Sequence, residues 1–289
     1  MKLYKFTTLF LITLFTITSC SDDNDSETQG GNGGGEEPVI NQNYFPSTLN
    51  DFWNYDVANT NNDTNETTNT TDNIYVATET ATNFTLEANN NTVANGTMNG
   101  LLTTTTLSRT NTKLIINGNL ELPQEISDLI EFDINLNNVA LYDVDANNGT
   151  ELSSTTNTVQ QDFNGFPVSI TYVITTKALG QSTSISLNGE TYNDVLKANF
   201  KVNLKVVTTV TVAGFPIDID IIEPQDVISI DNYFAKDIGL VRSEADSGYT
   251  ISATAITALE AAGIDLDAIP TSISTTNIQE LTDYMVTVE

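Results

Sequence analysis

From Trp53 onward, apolar and polar residues alternate along most of the chain, the period-two signature of strands with one face buried. Phe52-Trp53-Asn54-Tyr55-Asp56-Val57 opens the series, and residues 73–80, 83–88, 98–106 and 113–117 read as short strands after it. Residues 130–144 form a longer element with Phe132, Ile134 and Leu136 on one face. Its start reads equally as a helical turn, because 123–130 carries Leu, Ile and acidic residues at helical spacing. The strongest strand signals are 168–176, 182–187 and 194–212. In the last of these Val202, Leu204, Val206 and Thr208 oppose Lys201, Asn203 and Lys205, so one face packs and the other meets water. Ile217, Ile219 and Ile221 alternate with Asp218 and Asp220 in the same way, and 278–288 closes the series.

Turn signals punctuate this pattern. Asn95-Gly96, Asn99-Gly100 and Asn117-Gly118 predict tight turns. Gly165-Phe166-Pro167-Val168 and Gly214-Phe215-Pro216-Ile217 look like one turn used twice, each starting a strand after a hairpin loop. Only 254–262 reads as a helix of any length, with Gly263 as its stop. Strands in hairpin order, with no helix between parallel pairs, predict a mainly β protein built on a large antiparallel sheet with one short helix; a β-sandwich is the alternative arrangement.

The first 43 residues follow other rules. Lys2 and Lys5 precede an apolar run from Phe6 to Ile17, and small residues then lead to Cys20, the single cysteine of the chain. That is a leader with a cleavage site, too short and wrongly flanked for a stable span. A free core cysteine after an ordinary leader is the alternative, but a core cysteine would not stand between a leader and a polar linker. With one cysteine no disulfide framework is available, so the fold must rest on its own core. Residues 21–43 are rich in Gly, Asp, Ser, Asn and Glu, and cannot bury enough apolar surface to offset chain entropy. They predict a flexible tether whose root-mean-square reach is on the order of 25 Å. The organisation expected is a signal peptide over 1–19, a tether over 20–43, and one antiparallel β domain over 44–289.

Charge narrows the partners. The net formal charge is −28, with 38 acids against 10 bases, and loss of Lys2 and Lys5 with the leader deepens the imbalance. Such a surface repels nucleic acid and anionic head groups. Thr and Asn are abundant where helix formers are scarce, which favours strands and Asn-rich turns. Asn-x-Thr triplets, as at Asn65, Asn83, Asn95 and Asn148, follow from that composition.

Candidate chemistry is thin. There is no histidine, and the one cysteine is assigned to the leader, so Ser-His-Asp and Cys-His sites, histidine bases and nearly all zinc chemistry are excluded. No phosphate-binding glycine loop, nucleophile elbow or dinucleotide fingerprint appears. Two carboxylates could still serve a glycosidase, but the acids present single out no pair. Asp143-Val144-Asp145-Ala146-Asn147-Asn148-Gly149-Thr150-Glu151 approaches a calcium loop, in which alternate oxygens converge on a hard cation. Its glycine comes one position late and Ser154 stands where the bidentate glutamate belongs, so a strand-ending turn is the stronger reading. Asp218, Asp220, Glu223 and Asp226 read as a solvated strand face. The expectation is a protein that is not an enzyme and needs no cofactor.

Ile17-Thr18-Ser19-Cys20 resembles the lipobox of bacterial lipoproteins, which implies cleavage before Cys20 and diacylglycerol attached to its sulfur. Ser21-Asp22-Asp23-Asn24-Asp25 resembles the acidic signal that sends lipoproteins of the Bacteroidota to the cell surface; a plain acidic start to the linker is the alternative. Tyr44-Phe45-Pro46 with Trp53-Asn54-Tyr55, and Tyr192-Asn193-Asp194-Val195 with Tyr233-Phe234-Ala235-Lys236-Asp237-Ile238-Gly239-Leu240-Val241, resemble signatures of an uncharacterised group of such lipoproteins, in which glycine is usual at the position of Asp237. That group's architecture is similar to the curved half-barrel of LolA- and LppX-like carriers, which hold acyl chains on the concave face. The same residues also read simply as core aromatics, with 235–241 as a strand carrying a glycine bulge. The resemblance implies a lipid-anchored outer-membrane protein, facing the exterior, that binds a hydrophobic ligand or lipid on a face lined by residues such as Val202 to Val206. An envelope protein is the other partner expected, through a surface scaffold or adhesin module with a filled core.

Overall fold

A computed structural model describes residues 43–122, 126, 132–163, 166–212, 215–261 and 270–287. Twelve strands form one antiparallel sheet: β1 (Phe52–Asn61), β2 (Glu66–Glu79), β3 (Asn83–Ala88), β4 (Thr105–Arg109), β5 (Lys113–Leu120), β6 (Ile134–Asp143), β7 (Glu151–Phe163), β8 (Phe166–Leu187), β9 (Glu190–Val212), β10 (Phe215–Ala235), β11 (Gly239–Thr250) and β12 (Ser272–Met285). Each strand pairs with its neighbour in sequence except at β6 and β7, and the ring is completed by β1 against β12. The curved sheet therefore curls beyond a half-barrel into a nearly closed barrel, interrupted at one seam. There the free edge of β6 is met by side chains: Ser153 Oγ accepts from the Ala140 N–H at 2.9 Å, and Tyr172 Oη accepts from the Asn135 N–H at 3.1 Å.

Alternation decides inside from outside. Trp53, Tyr55 and Val57 of β1 point inward while Asp56 is exposed, and Val202, Leu204 and Val206 of β9 are fully buried between half-exposed Lys201 and Lys205. Apolar side chains thus fill the interior and polar ones cover the outside, the reverse of a membrane-spanning barrel. A ring of twelve strands is wider than one whose own side chains fill it. Here the added filling comes from the Tyr44-Phe45 segment and from helix α1 (Thr97–Thr103), whose Met98, Leu101 and Leu102 are buried.

Several local expectations need correction. Residues 97–103, expected within a strand, form α1, and the strand begins only at Thr105. None of the three predicted Asn-Gly pairs makes a hairpin turn. Asn95-Gly96 leads into α1, Asn99-Gly100 lies inside it, and Asn117-Gly118 sits within β5 at a register shift where Gly118 takes φ +148°. The hairpin that does turn on Asn-Gly joins β8 to β9, where Asn188 and Gly189 have φ 51° and 88° between the paired Leu187 and Glu190. Residues 236–238 form a turn between β10 and β11, so 235–241 is two strand ends and not one bulged strand. β7, rich in Thr, Ser and Gln, was not expected as a strand at all, and β2 and β12 start earlier than their apolar residues suggest. The second helix, α2 (Ala253–Ala261), lies within one residue of its expected place and packs on β10. β8 and β10 begin at Phe166 and Phe215 as the repeated Gly-Phe-Pro predicts; Gly165, Gly214, Gly263 and most of 123–130 lie outside the described residues.

Candidate functional site

The two segments that resemble a lipoprotein signature meet at one end of the barrel. Phe45 packs against Trp53, Phe84 and Phe234, with ring centroids 5.2, 6.0 and 6.4 Å apart, and Tyr142 bridges Phe234 to Tyr44. Buried polar groups in this cluster are paired. Trp53 Nε1–H donates to the Ile238 carbonyl at 2.6 Å, Tyr55 Oη–H donates to the Leu240 carbonyl at 2.8 Å, and Arg109 Nη1 donates to the Phe45 carbonyl at 3.2 Å. The Asp237 N–H donates to the Asn43 carbonyl, fixing the described start of the chain to the β10–β11 turn. Gly239, at φ +114°, lets the backbone pass with its α-carbon beside the indole, where a Cβ would stand 3.1 Å from Trp53 Nε1. Burial pushes the phenols of Tyr55 and Tyr142 well up, so both remain neutral at any physiological pH. This end is sealed.

Asp72 stands beside this cluster, across the β1–β2 ladder from Tyr55, where it meets the start of α1. Its carboxylate is buried and accepts from Asn89 Nδ2, Asn95 N–H and Nδ2, Gly96 N–H and Asn99 Nδ2, all between 2.8 and 3.0 Å. Burial alone would raise its pKa, yet these donors together outweigh it and hold the carboxyl below its ordinary range. They pin the β3–α1 connection, where Asn89, Asn90 and Asn91 adopt three successive left-handed conformations, a run that Asn tolerates better than other side-chain-bearing residues. From β12, on the other side of β1, Gln279 accepts from the Met98 N–H at 2.7 Å and Asn277 accepts from the Thr97 N–H at 3.1 Å. No α1 residue supplies its own cap. Gly96 lies so close to Gln279 that a Cβ would stand 2.3 Å from its side-chain carbonyl carbon.

Beside this helix is a recess of about 550 Å³, within the size range of small-molecule sites. Nearly buried Leu86, Leu101, Leu120, Leu122 and Ile228 back it, and the Asn91–Gly96 segment, with exposed Val93, lines it together with Asn59, Thr104 and Thr275. Gly100 also lines it. Glycine inside a helix costs about 1 kcal/mol relative to alanine. At Gly100 neither a left-handed backbone nor a close neighbour requires it, since a Cβ there would meet nothing within 4 Å. What the missing side chain leaves is space in the recess.

The residues nominated from sequence fall into three groups. Ile17, Thr18, Ser19, Cys20, Ser21, Asp22, Asp23 and Asp25 lie outside the described residues. Val202, Leu204 and Val206 are at 0 % exposure in the barrel interior, and the recess is lined by other strands. Four of the acidic candidates are engaged individually: Asp143 pairs with Lys113 at 3.2 Å, Asp220 with Lys205 at 3.2 Å, Asp226 with Lys201 at 2.7 Å, and Asp218 accepts from Thr209 at 2.7 Å. Among the described residues no three Cys, Asp or Glu side chains are grouped as metal ligands would be. Sequence reading missed the recess entirely. The signal that could have found it is Gly100 inside Thr97-Met98-Asn99-Gly100-Leu101-Leu102, had that segment been read at helical period.

Comparison of the chain with protein-family models, with curated proteins and with solved structures returned no match.

Proposed function

We propose that this chain is a non-enzymatic lipoprotein of the outer cell envelope, anchored through Cys20, whose barrel binds a small molecule with a substantial apolar part. The observation that carries the reading is the recess beside α1, held open at Gly100. The ligand occupies this recess and not the Val202 to Val206 face, whose side chains are already packed. The reading is tested by expressing wild type and Cys20→Ser in a diderm bacterial host and purifying the secreted Cys20→Ser chain for native mass spectrometry. Wild type should stay with outer membranes and carry an acyl-glycerol mass, Cys20→Ser should be released, and a co-purifying small ligand should leave on organic extraction. Equal membrane retention of both forms would overturn the anchoring, and failure of any apolar probe to bind the extracted chain would overturn the ligand.

A second reading, a surface interaction module, is favoured by the tip of the β9–β10 hairpin. There Phe215 is 71 % and Ile217 46 % exposed. In that case Phe215→Ser with Ile217→Ser would abolish crosslinking to an envelope partner and leave ligand binding unchanged.

A further inference from the structure

We infer that the recess beside α1 takes an uncharged amphiphile, with its apolar body over Gly100 and its hydroxyl or amide head at the Asn91–Gly96 rim. This rests on reading the recess as a binding site and names what it selects. All Lys and Arg residues beyond the leader fall among the described residues, and none lines the recess. Arg109 and Lys113 belong to the sealed end, where the first reaches Phe45 and the second Asp143. Lys201 and Lys205 pair with Asp226 and Asp220 on the outer face, and Lys197 lies over the Tyr233 ring. A carboxylate, phosphate or sulfate head would be desolvated with no countercharge, inside a chain whose formal charge is −28. Among the described residues, the two acids that line the recess do not make a cation site either. Glu87 already accepts from Tyr75 Oη at 2.7 Å, and Glu121 is exposed to water. The polar groups of the rim are otherwise amide, hydroxyl and backbone, which pair with neutral polar groups, and Val93 and Ala94 stand among them. The apolar surface that an alkyl chain can reach comes from Leu120 and Leu122, at 4 % and 8 % exposure, and from Val93, at 81 %, beside the space that Gly100 leaves open.

The test uses the processed chain carrying Cys20→Ser, titrated calorimetrically with three twelve-carbon probes below their micelle concentrations: monododecanoyl glycerol, dodecanoate and dodecyltrimethylammonium. Monododecanoyl glycerol should bind at least tenfold tighter than either charged probe. Gly100→Leu should weaken it at least tenfold while the melting temperature is kept or raised, because the added side chain enters open space. Thr104→Trp, at the exposed rim, is the second blocking variant should Gly100→Leu fold poorly. Tighter binding of dodecanoate or of the ammonium probe, still lost on Gly100→Leu, overturns the charge selection and leaves the site standing. Binding unchanged in both blocking variants, or no binding of any probe, overturns the site and the selection together.

Discussion

Trp53 and Ile238, 185 residues apart, are joined by a 2.6 Å hydrogen bond from the indole N–H to a backbone carbonyl, with Gly239 directly against the ring. This contact ties β1 to the β10–β11 turn and completes the sealed end. Trp53→Phe keeps most of the apolar volume but leaves the Ile238 carbonyl without its indole donor in a part-buried setting. The expected loss is about 1–3 kcal/mol, read by urea denaturation followed by circular dichroism, since Trp53 is the sole tryptophan. Gly239→Ala should cost at least as much, from the contact with Trp53 and the left-handed backbone combined.

Asp72, across the β1–β2 ladder from Tyr55, organises the start of α1 through its charge. Its pKa is lower folded than unfolded, so its contribution is present above the unfolded carboxylate value of about 3.9 and is lost as pH falls through the folded value. Melting temperature measured between pH 2 and 7 should therefore drop on the acid side more steeply in wild type than in Asp72→Asn. At pH 7 the variant should be less stable by about 2 kcal/mol or more, because an amide cannot accept from so many donors. Parallel acid-side profiles would remove Asp72 from this role.

Gly96 and Gln279 form the tightest packing at the N-terminus of α1. Gly96→Ala would push the fully buried Gln279 side chain off the Met98 N–H, at an expected cost of about 1–3 kcal/mol. Gln279→Ala should also destabilise the fold, and the double variant should lose less than the two separate losses combined. A thermodynamic cycle measured by chemical denaturation checks that coupling.

The β6–β7 seam depends on side chains in place of a backbone ladder. Removing the acceptors with Ser153→Ala and Tyr172→Phe should accelerate exchange of the Ala140 and Asn135 amides by up to about tenfold, seen by hydrogen–deuterium exchange, while β1–β12 amides keep their protection.

The sequence made the sheet legible where one face is β-branched or aliphatic. β9 is marked out by Val202, Leu204 and Val206, and β10 by its alternating Ile and Asp residues. It concealed β7 because Ser, Thr, Asn and Gln on both faces give no inside–outside contrast. It concealed α1 because its N–H groups are capped by Gln279 and Asn277, some 180 residues later, while its own sequence carries Asn-Gly and a Thr run that imitate a turn and a strand. The sealed end was half visible: its aromatics stood out as motifs, but nothing local says that Phe45 meets Phe234. The recess depends on an absence at Gly100, which becomes informative only once its neighbours are known.

The order of strands around the ring also bears on how the chain reaches this fold. The β1–β12 ladder, with Phe52 opposite Met285, joins the segments farthest apart in sequence, whereas consecutive β6 and β7 form no ladder. Closing that longest loop is the slow entropic step of assembly. Cutting the chain between Asp143 and Glu151 and joining Thr287 to Asn43 through a linker, which keeps the Tyr44-Phe45 segment in the core, would bring the most distant pairing close in sequence, with the new termini at the existing gap. Such a circular permutant should keep the barrel and fold faster than the natural chain.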